Sequence, residues 1–145
     1  MQMHNDLLGI VYALPRYLIE RFFEGKKVFV KFIGGHSRTT RLEPGHRLFF
    51  YESHATKHLV GEATIAKVEF LPSFEVIKRY GEQLFLTPDE ITQYTQRRNR
   101  REGKQLLVLH LNRVKKYSEP VAFPEPMTMA GRYMTAQLHN KVFQS

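Results

Sequence analysis

The residues best equipped for chemistry in this chain are cations. Arg97, Arg98, Arg100, Arg101 and Lys104 crowd into eight positions with Glu102 as the one opposing charge. If this stretch is helical, Tyr94, Arg97, Arg98 and Arg101 recur at i, i+3, i+4 and i+7. One face then carries a ring and three guanidinium groups. Guanidinium binds phosphate oxygens in pairs and stacks on bases, which suits a polyanion with exposed rings. The alternative is a solvated helix end whose cations complement the negative end of the helix dipole.

A second set lies around Tyr51, Ser53, His54, Lys57 and His58. On a strand, alternation sends Arg47, Phe49, Tyr51 and Ser53 to one face, where a ring beside a hydroxyl and a cation can hold a base. The competing reading makes Phe49 and Tyr51 core and the rest a turn.

Other chemistries find little support. His54 and His58 are four apart, a ligand spacing that works on a helix, but they fall between strands, and no metal site is expected. Ser37, Ser53 and Ser73 lack Gly-x-Ser-x-Gly surroundings, and no phosphate-binding glycine loop is present. Zero cysteines remove disulfides, iron–sulfur clusters and thiolate nucleophiles. No cofactor is expected.

At 145 residues, with 42% hydrophobic and 25% charged residues, the composition is that of one globular domain spanning 1–145. No apolar run approaches the roughly 20 residues that span a bilayer, and the first residues lack a secretory pattern, so a cytoplasmic protein is expected. The net charge is +8, of which residues 76–145 hold +6, a field that favours phosphate backbones as partners.

The elements that must position these groups follow from periodicity. Leu7–Leu14 reads as a buried strand and Pro15–Glu24 as a helix with Leu18, Ile19, Phe22 and Phe23 inward, ended by Gly25. Lys27–Ile33 alternates Val28, Val30 and Phe32 against Phe29, Lys31 and Ile33, a strand covered on both faces. Residues 34–41 read as an exposed loop. Arg47–Ser53 and Leu59–Leu71 form a hairpin, and Ser73–Tyr80 a short helix. Thr87-Pro88-Asp89-Glu90 is a capping box opening a helix over Pro88–Arg101. Gln105–Tyr117 is the most apolar strand, after which Pro120, Pro124 and Pro126 should interrupt pairing, and Arg132–Leu138 reads as a last strand. Together these give an α+β fold, a mixed barrel of five to six strands with peripheral helices.

Several of these segments also carry a resemblance. Val11-Tyr12-Ala13-Leu14-Pro15, Gly25-Lys26-Lys27-Val28-Phe29-Val30-Lys31, Leu48-Phe49-Phe50-Tyr51-Glu52-Ser53 and Gly61-Glu62-Ala63 resemble an archaeal family of uncharacterised proteins in the PUA-like superfamily. Phe85-Leu86-Thr87 and Thr128-Met129-Ala130-Gly131-Arg132-Tyr133 extend the match over nearly the whole chain. The resemblance implies a pseudobarrel shared with PUA, ASCH, EVE and YTH domains, many of which bind RNA or modified bases in a cleft.

On that basis the expected function is nucleic-acid binding, with RNA as the partner. Lys26, Lys27, Lys57, Arg97, Arg98 and Arg101 would meet phosphates, and Tyr51, Ser53, Arg132 and Tyr133 would lie near a base. The chain has no tryptophan, so a cage for a modified base would need Phe49, Tyr51 or Tyr133. The alternative the resemblance offers is an ASCH-type amidohydrolase of nucleoside-like amides, with Lys26 or Lys27 as its lysine and Glu62 as its acid. Phe29 or Val30 stands where that enzyme's threonine would fall.

Overall fold

The computed structural model describes residues 6–32, 40–54, 56–98, 105–128 and 130–143, with the backbone alone at 95–98. Among these residues six strands and four α-helices follow in the order β1 (Leu7–Leu14), α1 (Arg16–Phe23), β2 (Val28–Phe32), β3 (Arg47–Glu52), β4 (His58–Pro72), α2 (Ser73–Tyr80), α3 (Pro88–Arg98), β5 (Gln105–Ala122), β6 (Arg132–Thr135) and α4 (Ala136–Phe143). The sheet order is β2-β5-β4-β3-β1-β6. The β1–β3 pair is parallel and the other pairs are antiparallel.

The sheet curls. In a flat sheet β1 and β2, separated by three strands, would lie about 19 Å apart at the usual strand spacing. Instead the Tyr12 ring of β1 stacks on Phe29 of β2, centroids 5.2 Å apart. The enclosed interior is aromatic: Phe22 of α1 stacks on Phe50 (5.1 Å) and Phe85 (4.9 Å), and Phe85 stacks on Phe29 (5.2 Å). This is the expected α+β pseudobarrel, with α1 packed as an inward plug.

Local chemistry explains the helix ends. Gly25 takes a φ of 124°, and the Lys26 N–H closes back on the Arg21 carbonyl at 3.0 Å, so α1 stops there. At α3 the capping box is present in both directions. The Glu90 N–H donates to Thr87 Oγ1 at 3.1 Å, and the Thr87 N–H donates to Glu90 Oε1 at 2.8 Å.

A second, outer cluster of Val11, Phe49, Leu59, Met134 and Val142 lies on the opposite face of the sheet under α4. Phe49 is fully buried there, as the core reading expected. Two sequence expectations need correction. Pro120 does not interrupt β5, because it falls where the register shifts between Leu59↔Val121 and Gly61↔Lys116, a bulge that asks no ladder bond of it. Residues 136–138 are not strand but the first turn of α4, started by the Thr135 hydroxyl, which accepts the Leu138 N–H at 3.1 Å. Among the described residues no helix is long and apolar enough to cross a membrane.

Candidate functional site

A cleft of about 310 Å³ opens between the end of β1, the start of α1, β2 and α3. That is the small end of the range for ligand pockets. Its floor is apolar, with Leu18, Phe29 and Phe85, and its polar groups are Tyr17, Lys31, Glu90, Gln93 and Tyr94.

The position of Lys31 follows from strand alternation. It shares a face of β2 with Phe29, which is fully buried, so the strand aims a cation into the barrel mouth. Its ammonium sits 5.3 Å from the centre of the Tyr12 ring. Burial pushes the Tyr12 phenol well above its ordinary range, and the neighbouring Tyr133 and Tyr94 add to this, so Tyr12 stays a neutral hydroxyl.

Two ties hold α3 as the cleft wall. Arg21 donates to both oxygens of Glu90, at 2.7 and 3.2 Å, and to the Phe85 carbonyl at 2.9 Å. The Arg21 hydrogen bonds hold the Glu90 carboxyl below its ordinary range, against the opposing effect of burial. At the other end the Phe32 N–H donates to the Tyr94 hydroxyl at 2.7 Å. Glu90 is thereby neutralised by Arg21, and Lys31 brings a second cation to the cleft lining. Tyr17 stands at the rim, 61% exposed, with the Arg21 guanidinium 5.5 Å from its ring centre. An apolar floor, an exposed ring at the rim and a lysine in the lining suit a flat anionic ligand.

The residues expected from sequence do not gather in one place. Lys27 is exposed at the entry to β2, its carbonyl accepting the Leu111 N–H at 2.8 Å. Glu62 pairs with Arg47 at 3.2 Å and accepts the Tyr117 hydroxyl at 2.6 Å. Among the described residues no ion pair joins Lys27 to Glu62, and along β5 their neighbours Leu111 and Lys115 are about 13 Å apart. Lys26 donates to the Glu82 carbonyl at 2.5 Å. Tyr51 packs in the outer cluster, edge-on to Phe123, whereas Tyr133 packs against the inner core beneath the Arg41 guanidinium. Arg132 pairs with Glu125 at 2.9 Å. The Ser53 N–H donates to the Leu14 carbonyl, and Lys57 is exposed with φ 57°. Arg97 and Arg98 lie on the last turn of α3, and Arg100, Arg101 and Lys104 fall outside the described residues.

Lys31 carried the overlooked signal. A lysine on the same strand face as Phe29 breaks the apolar pattern of a covered strand, and such a break marks either a strand end or a site.

A curled mixed sheet with a helix plug and a lateral cleft places the chain among PUA-like pseudobarrels. The ASCH protein of Zymomonas mobilis has a similar fold, with a TM-score of 0.58 at 16% identity over 92% of this chain and 78% of that one. A point variant of the same protein gives 0.60 at 15% identity, covering 97% and 82%. The chain itself belongs to the family described as Domain of unknown function (DUF365), whose model matches residues 7–136. An uncharacterized protein of Methanocaldococcus jannaschii, MJECS03, is 26% identical over 105 residues, covering 68% of this chain and 97% of that one.

Proposed function

We propose that this protein binds single-stranded nucleic acid, RNA in particular, by drawing one base into the cleft between α1, β2 and α3. The observation that carries this reading is Lys31, a cation facing inward over Tyr12 in a cleft with an aromatic floor. RNA readers typically take an unstacked base, stack it on a ring and hydrogen-bond its edge. Here Tyr17 supplies the exposed ring, Gln93 and Tyr94 supply edge partners, and Lys31 meets the adjoining phosphate. The net charge of +8 supplies long-range attraction.

The test is fluorescence anisotropy with labelled single-stranded RNA and DNA of one sequence, from about 50 to 200 mM salt. RNA should bind more tightly than DNA, and affinity should fall steeply with salt. Tyr17→Ala should weaken binding by about 5- to 150-fold, the worth of one base–ring stack. Lys31→Gln should lower the salt slope by about 0.7 to 1. Failure of RNA, DNA and mononucleotides alike to bind at low salt would overturn the proposal.

A further inference from the structure

We infer that the free edge of β5 is a phosphate track, along which a single strand continues after leaving the cleft. This inference rests on the base-binding reading above and adds to it the path of the backbone.

β2 pairs with β5 only over Leu106–His110. From Asn112 to Ala122 the edge of β5 away from β4 has no strand partner among the described residues. Arg113, Lys115 and Lys116 are exposed along that stretch, and Lys27 sits where β2 peels away, bonded through its carbonyl to Leu111.

These cations differ from the arginines that are held in ion pairs. Arg16, Arg21, Arg47, Arg79 and Arg132 are each held by a carboxylate. Among the described residues Lys27, Arg113, Lys115 and Lys116 have no such partner. The Lys116 ammonium instead lies 5.7 Å from the centre of the Phe23 ring.

Phe23 is the last residue of α1, and Tyr17, near the first, stands at the cleft rim. Cleft and basic edge are therefore the two ends of one helix, about 10 Å apart along its axis. A strand with one base in the cleft can lay its next phosphates on the edge.

The backbone at Arg113 points the same way. It has a φ of 52°, in the left-handed region that disfavours a side chain, within a register shift between Glu62 and Thr64. Such bulges re-aim a side chain out of the normal alternation. Lysines on a free edge can also serve to block pairing with another chain. That role concerns self-association, and the test separates the two.

The test compares a single-stranded RNA of about a dozen nucleotides with ribonucleoside monophosphates, using the wild-type protein, Lys116→Gln and the Arg113→Gln/Lys115→Gln/Lys116→Gln triple variant. The triple variant should lower the salt slope for the oligonucleotide by about 2, and Lys116→Gln by about 0.7, with monophosphate binding unchanged. If both variants keep the wild-type slope while the monophosphates bind, the track is refuted and the cleft reading stands. Self-association of the triple variant with an unchanged slope in Lys116→Gln would show an edge guard and also refute the track. If neither probe binds the wild-type protein, both readings fall.

Discussion

Replacing Glu69 by Gln should destabilise the protein near neutral pH and do so progressively less in acid. Glu69 lies on β4 with its side chain 14% exposed. It accepts the Tyr80 hydroxyl at 2.6 Å and His110 Nε2 at 2.8 Å, and Lys67 sits 3.2 Å from its second oxygen. Burial pushes its pKa up, but the bonds from Tyr80, His110 and Lys67 together outweigh burial and hold it at about 2, against an ordinary 4.5. A carboxyl whose pKa is depressed by folding stabilises the protein above its unfolded pKa, and that stability is lost as pH falls through the folded value. The difference corresponds to about 3 kcal/mol at pH 7, of which about 2 kcal/mol should be gone by pH 3. Urea unfolding of the wild-type protein and Glu69→Gln should therefore show a gap of about 2 to 3 kcal/mol at neutrality, shrinking to about 1 kcal/mol at pH 3. Gln keeps an acceptor for Tyr80, so the pH-dependent part isolates the charge. A gap that stays constant from pH 7 to pH 3 would refute the reasoning. The outcome bears on function because Tyr80 ends α2, and α2 supports the α3 wall of the cleft.

Three further substitutions test the packing. Gly131→Ala places a methyl 2.5 Å from the Tyr12 ring at a φ of 83°, so it should cost about 2 to 4 kcal/mol in thermal or urea unfolding and loosen the Tyr12–Phe29 stack. Phe22→Ala removes the ring at the centre of the aromatic interior and should cost about 3 to 5 kcal/mol, read from the same unfolding curves. Thr87→Ala takes away the acceptor for the Glu90 N–H and should cost about 1 kcal/mol, with faster amide exchange confined to the first turn of α3.

Much of the fold was legible because local rules and tertiary structure agree. Proline before α1, Gly25 after it, the Thr87–Glu90 box and the alternation of the β3–β4 hairpin each state a local preference that packing did not have to override. The two departures have one cause. Propensity speaks against a strand through Pro120 and for one at residues 136–138, whereas a bulge excuses the proline and a hydroxyl cap turns the chain after Thr135 into helix.

The candidate site was less legible. Charge density singled out Arg97–Lys104 and the Tyr51–His58 hairpin, because clustering in sequence is all that a linear reading can register. The cleft is assembled from α1, β2, the segment around Phe85 and α3. Lys31 becomes its cation only because the sheet curls far enough for Tyr12 to meet Phe29. Tyr51 and Tyr133, grouped by type, are parted by the sheet into outer and inner clusters.

By itself, then, the sequence determined the net charge of +8, the order of elements as far as β6 and the aromatic content of the core, since these depend on residue type and on neighbours a few positions away. Only the tertiary structure decided which cations are spent in ion pairs and which face solvent. It also decided that Lys27 and Glu62 lie apart, because distances between remote strands depend on how the sheet closes, and periodicity along one strand carries no information about that.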